Sequence, residues 1–256
     1  MKRYVMIGAP VTTVRTPALL TEYLQGLGVA VEIETRHVDP ADLDAFMAAA
    51  NADKSIDGLL VTMPHKRTII PHLEAISAVA RRAGSVNAAK RGAHGRFVGA
   101  QYDGIALVNA LLVRNVPVAT SNILLAGIGG AGLPIAQAIL MQGCKRLAIS
   151  DASAEVVAKA VESLRDLGPV AAFDGAAADI LVNATPLGMR DGDPSPFSEV
   201  QIAKAICVAD IVADPPKTTL AAMARAANVP VVTGRDMVGS QVKPIGDWLL
   251  AAGLEQ

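Results

Sequence analysis

The stretch Asn122-Ile-Leu-Leu-Ala-Gly127-Ile-Gly129-Gly130-Ala131-Gly132-Leu-Pro134-Ile-Ala-Gln-Ala-Ile-Leu-Met141 constrains this chain more than any other. Ile123 to Ala126 is a short apolar run with a β-branched start, bounded by Asn122 and Gly127, as in a buried parallel strand. Leu133 to Met141 reads as a helix, with Pro134 in the first turn, where a proline is tolerated. Between them Gly127, Gly129 and Gly132 keep the Gly-x-Gly-x-x-Gly spacing. Lacking side chains, they let the backbone turn tightly and bring a helix N-terminus close to a pyrophosphate, with Gly130 and Ala131 completing the small-residue loop.

A glycine triplet alone is a weak signal, and its surroundings decide what it means. Gly143 stops the helix, Arg146 to Ser150 follows as a second strand, and Asp151 stands at that strand's end. Asp151 lies 24 positions after Gly127, close to the ~20 at which an acid binds the adenosine ribose hydroxyls. An acid there repels a 2′-phosphate, and no Lys or Arg follows until Lys159, so NAD is expected and NADP less so. The alternative is a glycine-rich turn with a helix-capping aspartate. Strand, turn, helix, strand and acid in that order favour the dinucleotide site.

With 256 residues the chain can bury one large core or two modest ones, and the pattern favours two. Hydrophobic residues make up 52% and the mean hydropathy is +0.38, which raises the question of a membrane span. Asn115 to Cys144 is an uncharged run of 30 residues, yet it holds five glycines and two prolines. No part of it keeps helical apolar character for the ~20 residues a span requires. The first residues lack a signal peptide's apolar core, so a cytoplasmic protein with no membrane partner is expected.

A net charge of −1, spread over both signs, and 3% aromatic residues point away from nucleic acid. Cys144 and Cys207 read as buried fillers, and no His pair has metal-ligand spacing, so no metal is expected. The partner is a small-molecule substrate, and a homodimer is compatible with the sequence.

Tyr4 to Gly8, Val29 to His37 and Ile56 to Thr62 read as strands, and Ala18 to Leu27 and Pro40 to Ala50 as helices. Ile69 to Arg82 is predicted as one further helix, and residues 83–88 as a loop or short strand. Asp103-Gly104 opens a helix through Val113, and strands at Ile123, Leu147, Val170, Ile180, Val208 and Val231 then alternate with helices. The last helix runs from Val238 to Ala252. This alternation predicts an α/β fold with parallel sheets and a domain boundary near residue 103.

Oxidation of a secondary alcohol needs a group that takes the hydroxyl proton as hydride leaves the carbon. Lys66 follows a strand and a proline, at the carboxyl edge where parallel sheets place ligands, and Asp103 opens a helix. An amine hydrogen-bonded to a carboxylate can shuttle that proton. On spacing alone, Lys66-Arg67 reads equally as a solvated charge pair and Asp103 as a helix cap. Thr62 and Asn87 are ordinary polar loop residues on the same terms.

Several motifs, in one order along nearly the whole chain, resemble those of the shikimate dehydrogenase family. They are Gly8-x-Pro10 with Thr16-Pro17, Gly58-Leu-Leu-Val-Thr62-Met-Pro64-His-Lys66, Ala83-Gly-Ser-Val-Asn87 and Gly99-Ala-Gln-Tyr-Asp103-Gly104. After the glycine loop come Asn183-Ala-Thr185-Pro-Leu-Gly188-Met189, Asp210-Ile211-Val212, and Gly234-x-x-Met237 with Gln241. The resemblance implies an N-terminal α/β substrate domain with a mainly parallel sheet (1–103 with 237–256) and a Rossmann domain (104–236). It implies Lys66 and Asp103 as acid/base pair, with Thr16, Thr62, Asn87, Tyr102 and Gln241 on the substrate. It also implies Thr185, Met189, Ile211, Gly234 and Met237 around the nicotinamide; both methionines read equally as core fillers.

The chain departs from the family's pattern where the substrate carboxylate is held. The family's Ser-x-Ser-Pro is here Val14-Arg15-Thr16-Pro17, and a tyrosine that assists the carboxylate is Ala213. A motif asparagine is Leu60, and the two residues before Asp103 are Gln101 and Tyr102 instead of asparagine and threonine. Tyr102, Thr12, Thr13 and Arg15 are the groups available to replace the lost contacts. The expected function is therefore NAD-dependent hydride transfer to or from a hydroxylated cyclic acid of the shikimate or quinate type. The alternatives are the same fold and acid/base pair acting on another ring alcohol, and a non-catalytic dinucleotide sensor.

Overall fold

The computed structural model describes residues 1–11, 14–215 and 217–254, so Thr12 and Thr13 lie outside the described residues. Two compact units divide the chain, Met1–Tyr102 with Gln241–Gln256, and Asp103–Ser240. Asp103 and residues 237–240, expected in the first unit, fall in the second.

The first unit contains, in order, β1 (Lys2–Gly8), α1 (Thr16–Gly26), β2 (Val31–His37), α2 (Leu43–Ala52), β3 (Gly58–Val61) and α3 (His65–Thr68). Then follow β4 (Ala75–Ile76), α4 (Ala78–Ala83), β5 (Ala88–Arg91) and β6 (Phe97–Ala100). They form one sheet in the order β2-β1-β3-β5-β6-β4. Its β1–β2, β1–β3 and β4–β6 pairs are parallel, while β5 runs antiparallel to both β3 and β6. The central strand β1 buries Tyr4, Val5, Met6 and Ile7 in succession, as a strand covered on both faces must.

Two expectations are corrected here. The helix predicted over Ile69 to Arg82 does not form. Pro71 has no N–H to continue a helix, and the chain takes a 3-10 turn at Ile70–His72, then β4, then α4. Ser77 starts that last helix, its Oγ accepting the Ala80 N–H at 3.2 Å. Strand β5 begins at Ala88, the last residue of the predicted loop or short strand, and continues over 89–91, for which no element was predicted. It contains Lys90, a residue rarely buried, whose ammonium here donates to the carbonyls of Trp248 at 2.6 Å and Ala251 at 2.9 Å.

The second unit contains α5 (Asp103–Val113), β7 (Asn122–Ala126), α6 (Gly132–Met141), β8 (Arg146–Ser150), α7 (Ala154–Leu164) and β9 (Val170–Ala172). It continues with β10 (Ile180–Asn183), α8 (Glu199–Lys204), β11 (Cys207–Asp210), α9 (Thr219–Ala226) and β12 (Val231–Thr233). All six strands are parallel in the order β12-β11-β10-β7-β8-β9, the doubly wound Rossmann arrangement. Helix α10 (Gly234–Leu250) begins in this unit, with Met237 in its core, and ends in the first, with Trp248 in that core. Among the described residues no helix is long and apolar enough to cross a membrane.

Each sheet has a point where successive crossovers leave in opposite directions, and such points leave a crevice at the strands' carboxyl ends. In the first sheet it lies between β1 and β3, and in the second between β7 and β10.

Candidate active site

At the crevice of the first unit, Gly8 ends β1 against Thr62, which follows β3. A Cβ on Gly8 would collide with the Thr62 methyl and lie 3.0 Å from the Met63 carbonyl, so only glycine lets the two loops meet. Thr62 donates its N–H to Ile7 at 3.0 Å and accepts the His65 N–H at 3.0 Å. That bond turns the chain into α3, on which Lys66 sits half-buried. The Lys66 carbonyl accepts the Val86 N–H at 2.7 Å, which ties α3 to the segment leading to Asn87. His65, fully buried, braces the turn through Nε2 to the Val38 carbonyl at 2.6 Å.

Asn87 is 5% exposed, and its Oδ1 accepts the Tyr102 backbone N–H at 2.9 Å. Lys66, Asn87 and Tyr102 are thus linked by main-chain and side-chain bonds within one unit. Gln101 is an internal brace, donating Nε2 to Ser85 Oγ at 2.8 Å. The Tyr102 ring packs in the core, 6.0 Å from Trp248. Its hydroxyl is sealed from solvent and has no hydrogen-bond partner. Burial pushes that phenol well above its ordinary range, and the charge of Asp247 adds to the effect. Thr16 is buried in the first turn of α1 and Gln241 is buried on α10. Leu60 is a core residue in the middle of β3, against Ala88.

In the second unit, Gly127 takes φ +92°, a conformation that favours glycine, and donates its N–H to Ser150 at 2.8 Å. A Cβ on Gly127 would lie 2.7 Å from the Ala184 carbonyl carbon and the Thr185 nitrogen, and one on Gly132 would collide with the Gly127 carbonyl. The loop is therefore closed tightly onto the ends of β7 and β10. Around Gly129, by contrast, nothing lies within 4 Å of where a Cβ would be. The loop enters α6 through Ala131, with no side chain capping that helix. Open space before an uncapped helix N-terminus, with its main-chain N–H groups, fits the diphosphate of a dinucleotide.

Asp103, 3% exposed, opens α5 in this same unit. A Cβ on the next residue, Gly104, would collide with the Pro134 carbonyl and lie 2.9 Å from Ala138 Cβ, so the start of α5 lies directly against α6. Thr185 donates both its N–H (3.0 Å) and its hydroxyl (2.7 Å) to Asn183 Oδ1. Met189 is 40% exposed on the loop after β10, whereas Met237 is buried in the core cluster, against which Ile211 also packs. Gly234 starts α10 where a Cβ would lie 2.6 Å from the Ala213 nitrogen, again a close backbone approach.

The shikimate dehydrogenase substrate binding domain family matches residues 6–89. A shikimate dehydrogenase (NADP(+)) of Rubrobacter xylanophilus is 34% identical, over 87% of this chain and 80% of its own. Another from Acidiphilium cryptum is 34% identical, over 93% and 87%. The solved shikimate 5-dehydrogenase of Thermus thermophilus, in complex with NADP(H) and shikimate, is 25% identical. It aligns with a TM-score of 0.87 over 98% of this chain and 94% of that one.

These relatives overturn the expectation of NAD over NADP, since two are named for NADP(+) and the third holds NADP(H). The structure supplies the physical reason that Asp151 misleads. Its Oδ2 accepts the Ile128 N–H at 2.8 Å and its Oδ1 the Ser153 N–H at 3.2 Å. An acid at that spacing is here engaged by the main chain through both oxygens, so its presence alone does not select NAD over NADP.

Proposed function

The chain belongs to the shikimate dehydrogenase family of oxidoreductases, and we propose that it transfers hydride between a nicotinamide dinucleotide and a hydroxylated cyclic acid of the shikimate or quinate type. NADP is the cofactor to test first, because the relatives are named for it. The observation that carries the reading is the glycine loop. It is closed onto the strand ends by Gly127 and Gly132, open at Gly129, and leads into an uncapped helix.

When bound, the dinucleotide supplies the hydride acceptor or donor. Gly129, Gly130, Ala131 and Gly132 frame its diphosphate, and Gly127, its own N–H given to Ser150, makes the tight turn. Thr185, Met189, Ile211, Gly234 and the core residue Met237 shape the nicotinamide end. Lys66 and Asp103 form the acid/base pair that takes the substrate hydroxyl proton during oxidation and returns it during reduction. The support for this pair is local in each unit: Lys66 is held by α3 and Val86 at a sheet crevice, and Asp103 is buried at the start of a helix packed on α6. Thr16, Thr62, Asn87 and Gln241 orient the ring. Tyr102 contributes through its main chain, because its hydroxyl is sealed in the core.

A different ring alcohol on the same machinery is the second reading, and Leu60, Ala213 and Val14 favour it, Val14 most directly. It stands where the family carries the first serine of Ser-x-Ser-Pro, and its side chain offers a carboxylate no hydrogen bond. Purified protein assayed with NADP and a panel of shikimate, quinate and their analogues separates the readings. Turnover restricted to rings without a carboxylate selects the second, and no turnover with any of them defeats both.

A further inference from the structure

We propose that Asn183 and Asp210 are positioning residues for the dinucleotide, the two roots of a buried polar lattice that fixes the Thr185 and Ile211 loops beside the glycine loop. The proposal deepens the reading that this unit binds a nicotinamide dinucleotide, and rests on it.

Asn183 and Asp210 end the neighbouring strands β10 and β11 in register with each other, 0% and 2% exposed. A buried amide and a buried carboxyl at strand ends are costly unless every polar atom is used. Here they are used. Asn183 Nδ2 donates to Asp210 Oδ1 at 3.0 Å and to the Leu187 carbonyl at 3.0 Å. Its Oδ1 accepts both the N–H and the hydroxyl of Thr185, whose Oγ1 in turn accepts the Leu187 N–H at 3.1 Å. Asp210 accepts the Val212 N–H at 3.3 Å on Oδ1 and the Thr218 hydroxyl on Oδ2. Burial pushes the Asp210 carboxyl above the ordinary carboxylate range, and the donors from Thr218, Val212 and Asn183 oppose that shift.

Two loops are held by this arrangement, at the strand ends that flank the crevice. The loop after β10 meets the glycine loop directly, because the Gly127 backbone approaches Thr185 too closely to admit a Cβ. The loop after β11 carries Ile211, whose N–H donates to the Asn183 carbonyl at 3.1 Å. Thr218 closes the circuit, since a Cβ on Gly188 would lie 2.9 Å from its methyl. Loss of the lattice therefore loosens the surface around the nicotinamide end, and every partner in the lattice belongs to the second unit.

The test is the dissociation constant for NADPH, read by its fluorescence, and the KM for shikimate, in Asn183→Leu, Thr218→Val and Thr218→Ser. Leu removes every side-chain bond of Asn183 at similar volume, Val removes the Thr218 hydroxyl with its bonds to Asp210 and the Ala221 N–H, and Ser keeps the hydroxyl. We expect Kd for NADPH to rise about tenfold or more in Asn183→Leu and Thr218→Val. Thr218→Ser should stay within about twofold of the parent, and the KM for shikimate should hold in all three. If Asn183→Leu does not fold, the Thr218 pair decides alone. A Thr218→Val variant that binds NADPH as tightly as the parent overturns the proposal, as does an equal loss of shikimate affinity. A parent that binds no nicotinamide dinucleotide overturns the functional reading and this proposal with it.

Discussion

Asn87 Oδ1 accepts the backbone N–H of Tyr102 at 2.9 Å, with both residues buried. The bond joins the segment behind Lys66 to the residue before Asp103. Asn87→Ala leaves a buried N–H without an acceptor, which costs about 1–3 kcal/mol and lowers Tm by roughly 3–10 °C. Asn87→Asp keeps an acceptor there and should recover much of that loss. Equal melting of the alanine variant and the parent would show that the bond contributes nothing.

Tyr4 and Tyr102 each bury a hydroxyl with no partner. Burial pushes the Tyr4 phenol up to about 12, with the charge of Asp57 adding to it. A folded value above the unfolded one, near 10, means that the stability tied to the neutral phenol is complete below pH ~10. It is lost as pH rises from there through the folded value. Tyr4→Phe should match or exceed the parent's stability at pH ~7 and fall less steeply above pH ~10. Denaturant titrations across that range check it.

Tyr102→Phe tests the substrate side of the same feature. With its hydroxyl sealed in the core, the variant should keep the parent's KM for the ring acid within about twofold. A tenfold rise would place the hydroxyl on the substrate after all.

Asp151→Ala frees the Ile128 N–H that its carboxylate now takes. Loss of that bond to a charged acceptor should weaken NADP and NAD alike by about tenfold or more, at 1.5–3 kcal/mol per bond, ~10-fold per 1.4 kcal/mol. Asp151→Asn retains an acceptor and should recover part of the affinity. A variant that gains NADP affinity while losing NAD would instead return Asp151 to the ribose.

The glycine loop was legible in sequence because backbone closeness at Gly127 and Gly132 leaves no other residue type that fits. The alternation of strand and helix was equally clear in the second unit, where β7, β8, β10 and β11 each bury an apolar run. Asp151 misled because an aspartate two residues before an N-cap serine can hold main-chain N–H groups as readily as a ribose. The extent of β5 was hidden because Lys90 is buried by the carbonyl of Trp248, 158 residues further along the chain. The Asn183–Asp210 bond joins residues 27 apart. Each looks like an ordinary strand-end polar residue until the register of β10 and β11 is known.

The most direct measurement is formation of NADPH from NADP and shikimate, quinate or a related ring acid, in the parent and in Lys66→Ala, with NADPH binding measured in both. The parent should turn over at least one ring acid. The variant should lose about 100- to 10,000-fold in kcat while binding NADPH as the parent does. Undiminished turnover in Lys66→Ala, or NADPH binding by a parent inert toward every ring acid, contradicts the account.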